Sequence, residues 1–247
     1  MDAMATMRAE AHRLGGALVC VGTLAWLVLG GLHGELPSTG HHVVEAAARP
    51  LWREIHIFTI VAIALVAAGL ALLGSMLTAT RAAVLGRLGT ALVVPAGAVL
   101  GVGFAIDGYV LAGLADLYRA APDDGARQMA LMQADMILRV VRATSFSFQT
   151  LFGLAAAVLA GAMLVSAEYP AWLCGLGLFS GGLWLIGGAL LFANAAAIGA
   201  ALAVVAVAPG AVWLLGCGWL AWRRGGQTHA PAPAAEFAVA EPGRSTP

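Results

Sequence analysis

Residues 56–78 read HIFTIVAIALVAAGLALLGSMLT, an apolar run with no Asp, Glu, Lys or Arg. Crossing about 30 Å of hydrocarbon takes roughly 20 such residues at 1.5 Å per residue. Lipid offers no partner to an open backbone amide, so a run of this kind must be helix. Five more stretches share its character, at about 14–33, 87–108, 145–166, 171–193 and 199–222. The alternating ten-residue segments of a membrane β-barrel are missing. The expected fold is therefore all-α and membrane-embedded, a polytopic bundle of six transmembrane helices.

Composition points the same way. The 247-residue chain is 61% hydrophobic and 11% charged, against about 45–50% and 25% in soluble domains. Its 13 basic residues, all arginine, balance 13 acidic ones. With neither net charge nor a basic cluster, no nucleic-acid partner is expected; the partner is the lipid bilayer. Heavy use of Ala, Gly, Val, Leu and Arg is the mark of GC-rich coding, and the expected location is a bacterial cytoplasmic (inner) membrane. Cys20, Cys174 and Cys217 lie inside apolar runs, where cysteine acts as a small hydrophobe. No disulfide framework and no CxxC-type zinc spacing follow from them.

The first run follows Arg8 and Arg13 but exceeds the length of a signal h-region, and Gly-Glu-Leu-Pro stands where a cleavage site should be. It reads as a retained span. Arginine counts on the two sides are tied. Arg8 and Arg13 precede the first span, Arg223 and Arg224 abut the last, and the opposite arginines sit among acids in long loops. N- and C-termini are accordingly expected on the cytoplasmic side. Residues 1–224 form the six-span domain, and the Gly/Pro/Ala/Thr-rich segment 225–247 reads as a disordered cytoplasmic tail.

Both long outer loops carry an expected amphipathic helix. In the first, Pro37-Ser38-Thr39 precedes a helix over about 41–49, with Glu45 and Arg49 at i,i+4. Pro50 ends it, and Trp52 falls at an interfacial position. In the second, Pro122-Asp123-Asp124 caps a helix over about 124–143. There Met129, Met132, Met136, Ile137, Val140 and Val141 form a stripe suited to the membrane surface or the bundle. The repeated order, loop helix and then span, hints at a duplicated unit.

Ionisable groups at membrane depth mark candidate function. Asp107 lies 20 residues past Arg87, about 30 Å at 1.5 Å per residue, so it reaches the outer boundary rather than the midplane. At that level converge His33, the paired His41 and His42, Glu54, His56, Tyr109, Arg142, Ser145, Ser147 and Gln149. The candidate cluster is Asp107, His56, Glu54, His33, Tyr109 and Arg142. Imidazole with carboxylate can hold a divalent transition metal or work as an acid/base pair. The plainer alternative is an interfacial rim in which Glu54 and Asp107 pair with Arg53 or Arg142. Asp107 leads, because Gly108 beside it lets another helix approach. Gly97/Gly101 and Gly177/Gly181 are GxxxG faces, read first as internal packing and second as a seam for a homo-oligomer or membrane complex. Pro95 and Pro209 fall inside spans and are expected to kink them.

Leu51-Trp52-Arg53-Glu54-Ile55-His56, Asp107-Gly108-Tyr109 with Leu114-Ala115-Asp116, and Glu168-Tyr169-Pro170-Ala171-Trp172-Leu173 resemble motifs of a group of uncharacterised six-span bacterial membrane proteins. The resemblance covers roughly 14–220 and implies a six-span fold, with no substrate, cofactor or catalytic residue to carry over. Membrane hydrolases of the alkaline ceramidase type fit less well, since spans four to six hold no histidine. Di-haem cytochromes of the b type need deep, facing histidine pairs, whereas His33 and His56 read as shallow and standing alone. Three function classes remain. The first is a non-enzymatic accessory or small-ligand-binding bundle, for which no cofactor is expected. The second is a transporter of a small neutral or apolar solute, since charge-free span centres argue against ion coupling. The third is a metal- or cofactor-dependent enzyme with its site at the outer interface.

Overall fold

The computed structural model describes residues 3–34, 37–193 and 195–227. Every regular element among them is helical: α1 (Ala3–His33), α2 (Gly40–Ala46), α3 (Trp52–Ser75), α4 (Thr80–Ala105), a π-helical segment (Ile106–Leu111), α5 (Ala112–Ala120), α6 (Asp124–Ser166), α7 (Ala171–Phe192) and α8 (Ala196–Gln227). Six stretches are long and apolar enough to cross a membrane: Thr6–His33, Trp52–Ser75, Thr80–Ala120, Asp124–Ser166, Ala171–Phe192 and Ala197–Gly226. Each run identified in the sequence corresponds to one of them, with 56–78 ending three residues earlier, at Ser75, and 171–193 one earlier, at Phe192. Of the expected tail, 225–247, Gly225, Gly226 and Gln227 belong to α8, and the rest lies outside the described residues.

The six long helices close into a ring in chain order. Helix α1 packs on α3, α3 on α4, α4 on α6, α6 on α7, α7 on α8, and α8 returns to α1. Side chains from all six fill the centre, among them Val19, Val66, Val93, Leu159, Leu173 and Trp213, each at most 2% exposed. Between the helices, small residues allow close packing. A Cβ on Gly74 would meet the Gly86 carbonyl oxygen at 3.0 Å, so α3 and α4 touch backbone to backbone. The GxxxG faces work the same way inside the chain. Gly97 abuts Ala67, Gly101 faces Ile60, Gly177 receives the Trp213 ring, and Gly181 lies on Gly153 and Ala157. Both α4 and α8 are continuous through Pro95 and Pro209.

Two helices run further than expected. The π segment and α5 carry α4 on to Ala120, where Pro122 forces Ala121 out of the helical region (ψ 130°). The second loop helix is not a separate element but the first half of the 43-residue α6. Nothing between Ala126 and Phe152 breaks a helix, and the Asp123 carboxylate caps the start by accepting from the Ala126 amide at 2.7 Å. This half of α6 packs on α2 and α5 around Val43, Leu111, Ala134, Leu138 and Val141. The expected methionine stripe therefore divides. Ile137 and Val141 turn inward, while Met129, Met132, Met136 and Val140 are exposed, because close approach runs through the small Ala130 and Ala134.

The first loop is shorter in helix than expected and is tied down by other bonds. Helix α2 ends at Ala46, so Glu45 and Arg49 do not pair; Arg49 instead donates to the His33 carbonyl at 3.2 Å. The Gly40 amide donates to Asp135 at 2.6 Å, and Arg142 donates to the Pro37 and Ser38 carbonyls at 3.3 and 2.9 Å. At the opposite end of the ring Gly225 lies against Ala9 and Arg13, so both ends of the described chain share one side.

Helix α6 closes on Ala167, which sits in the left-handed region at φ 56°. That conformation costs an L-residue about 1 kcal/mol or more and costs glycine almost nothing. Ala167→Gly is expected to raise stability by about 0.5–1 kcal/mol, read as a higher unfolding midpoint in detergent.

Candidate metal centre

Three polar side chains meet at the end of the ring away from the termini. His33 is the last residue of α1, His56 sits in the first turns of α3, and Asp107 lies in the π segment. They are 5%, 1% and 2% exposed. Each is placed by a local feature. Gly34 turns the chain at φ +73°, and its carbonyl accepts from His33 Nδ1 at 3.3 Å. His56 Nδ1 donates to the Trp52 carbonyl one helical turn back, at 2.6 Å. The wide π turn, a form that recurs at functional sites, departs from the regular register of α4 at Asp107 and carries it into the ring. Gly108 then supplies a bare strip of backbone, and the His56 side chain lies directly on it.

A carbonyl oxygen can only accept, so both Nδ1 atoms carry hydrogen. In neutral imidazole that leaves both Nε2 atoms with free lone pairs. His33 Nε2 lies 3.4 Å and His56 Nε2 3.3 Å from the same oxygen, Asp107 Oδ2. One ligand atom from each residue falls within 4.8 Å of the others. A tetrahedral ion with bonds of about 2.0–2.1 Å sets its ligand atoms roughly 3.3–3.4 Å apart. The two His–Asp spacings match. His56 Nε2 and Asp107 Oδ1 are both buried without a hydrogen-bond partner among the described residues, and buried polar atoms are rarely left so. Nδ1 bonded to backbone and Nε2 turned to a shared point is the usual orientation of metal-ligating histidine.

Aromatic rings wall the site. Trp52 lies 5.0 Å from His33 and 4.5 Å from His56, and Phe104 lies 5.9 and 5.6 Å from the same rings. The two imidazoles are 4.9 Å apart and edge to face, so they do not stand alone as their separate positions in the sequence implied. Trp52, expected at an interface, is 3% exposed and forms a wall. With their centroids 4.9 Å apart and edge to face, the imidazoles leave no gap for a porphyrin between them.

Of the six candidate residues the structure unites His33, His56 and Asp107. Glu54 is exposed at the rim, lining a polar hollow with Arg49, Arg53 and Asp116. Tyr109 is 76% exposed. Arg142 serves the loop carbonyls, and Arg53 pairs with Asp116 at 2.7 Å rather than with Glu54 or Asp107. His41 and His42 are exposed on α2; Ser145 and Ser147 bond back to their own helix. Compared with protein-family models, curated proteins and solved structures, the chain matches none.

Proposed function

We propose that this chain is an integral membrane protein that holds an exchangeable divalent transition-metal ion on His33, His56 and Asp107, at the outer boundary of the bilayer. One observation carries the reading: two buried imidazoles, each with Nδ1 on a backbone carbonyl, turn their Nε2 atoms toward a single carboxylate oxygen. Neutral imidazoles so placed set two lone pairs against an anion, an arrangement that a bound cation between them relieves. Nitrogen donors favour zinc, iron, nickel or copper over magnesium and calcium, which prefer oxygen cages. Structural zinc sites close with four protein ligands; three leave a position for water or substrate. An ion held there would act as a Lewis acid and lower the pKa of its bound water to about 7. This favours the metal-dependent class over a plain accessory bundle.

Metal analysis of the purified protein tests it. After loading with Zn²⁺ and removal of excess, close to one equivalent is expected, and a chelator should remove it without unfolding the helices. Absence of a stoichiometric ion after loading would end the reading.

Placement in a bacterial inner membrane with cytoplasmic termini belongs to the same proposal. It is supported by the six apolar helices and by Arg8, Arg13, Arg223 and Arg224 at the end where the termini meet. Cysteines introduced at the exposed Ser38 and Thr78 should react with an impermeant reagent from opposite sides of the membrane. Labelling of both from one side would overturn the topology.

A further inference from the structure

A second site opens on a different face of the ring, its outer end two residues before His33 on α1, and stands independently of the metal reading. Helices α1 and α8 are in tight contact where Gly16 meets Gly218, and the Cys20 thiol reaches the Leu215 carbonyl. Beyond that they part. The wedge between them holds about 300 Å³ and runs along α1 from Thr23 to Gly31, with Trp184 of α7 and Leu214 of α8 on its other walls. Eight residues of helix give it a length of about 12 Å, and its volume sits at the lower end of ligand pockets, about 300–1,000 Å³. Gly30 and Gly31 leave its floor open, with nothing within 4 Å of where a Cβ would be.

One group in this wedge is out of character. Hydroxyls on the spans bond to helix carbonyls: Thr59 to Ile55, Ser145 to Val141, Ser147 to Ala143, Thr150 to Phe146, and Ser180 across to Ala206. Thr23 is 1% exposed, lines the wedge, and its Oγ1 has no partner among the described residues. It lies ten residues from both Arg13 and His33, near mid-depth, where acyl chains carry no oxygen and water is absent. A lipid tail would leave that hydroxyl unpaired. The side walls are indoles: Trp26 packs edge to face on Phe148 and Phe152 at 5.8 and 6.2 Å, and Trp184 lies 5.3 Å from Phe152. Aromatic walls favour a flat ring between them.

We propose that the α1/α8 wedge binds a bilayer-dissolved, carbonyl-bearing ring compound of the quinone class, its oxygen accepting a hydrogen bond from Thr23 Oγ1 and its ring lying between Trp26 and Trp184. The probe is menadione, titrated into the full chain in phosphatidylcholine nanodiscs that contain no quinone, with binding read as saturable quenching of tryptophan fluorescence. The wild-type protein is expected to saturate. Thr23→Val keeps the shape and removes the hydroxyl, and should weaken binding about tenfold, within the range of one hydrogen bond. Gly31→Leu fills the open floor and should abolish the saturable component. Each variant should keep the wild-type unfolding midpoint; should Thr23→Val fail to fold, Gly31→Leu, which enters empty space, still decides. The proposal is overturned if quenching never saturates, if neither variant weakens binding, or if dodecane, which lacks oxygen, displaces menadione at equal concentration.

Discussion

Asp107→Ala is expected to lower Zn²⁺ affinity by more than about a hundredfold, exceeding the 10–100-fold typical when only a partner behind a ligand is lost. The carboxylate is the one donor that both imidazoles face, at 3.3 and 3.4 Å, and the one negative charge among the three. Without it an ion would keep two neutral nitrogens in a pocket walled by Trp52 and Phe104. His33→Ala and His56→Ala should each fall in the same direction. A purely structural cluster predicts something else: the variants would shift the unfolding midpoint, and the wild type would show no metal dependence to lose. Competition with a chromophoric chelator, with unfolding midpoints measured alongside, separates the two. If wild type and Asp107→Ala hold Zn²⁺ equally, His33, His56 and Asp107 are not its ligands.

The bundle was legible because a helix able to cross a bilayer needs a minimum apolar length, and a length can be counted in the sequence. What followed the spans was harder. The runs at 87–108 and 145–166 mark hydrocarbon-length apolar segments, but helix continues past them through Tyr118 and back to Asp124, since polar helix formers end a span without ending a helix. The site was half legible. Depth alone gathered Asp107, His33 and His56 with Glu54, Tyr109 and Arg142, because depth says nothing about direction around a helix. Helical arithmetic separates some of these. Trp52 and His56, four apart, share a face, whereas Glu54, two from His56, points nearly opposite, and it is exposed. Tyr109 could not be sorted in this way. A π turn leaves no compositional mark, and it changes the register of Asp107 and Tyr109 relative to the rest of α4. The pairing of His33 with His56 depends on the packing of α1 on α3, a tertiary fact that neither segment carries alone. The reading of Gly108 as a place of close approach did hold, and its neighbour there is the side chain of His56 itself.

That contact makes Gly108→Ala the most informative single substitution. A methyl at this position would overlap His56 Cβ and come within 2.5 Å of His56 Cγ. The α3 backbone fixes Cβ, so a change of rotamer could move Cγ but not clear the contact; α3 and the π segment must move apart. Overpacking of this kind costs about 1–3 kcal/mol, which outweighs the gain of up to about 1 kcal/mol that alanine brings to a helix. The same displacement carries His56 Nε2 away from Asp107 Oδ2, so metal affinity should fall together with the unfolding midpoint, although no ligand has been replaced. Gly101→Ala is the matched control, about two turns earlier in the same continuous helix. Its nearest neighbour would be Ile60 Cγ2 at 3.8 Å, ordinary contact, so this variant should be as stable as wild type or slightly more so, with unchanged Zn²⁺ affinity. Should Gly108→Ala bind Zn²⁺ like Gly101→Ala, the packing of His56 on Gly108 does not set the position of the imidazole, and the centre is held by something other than the π turn.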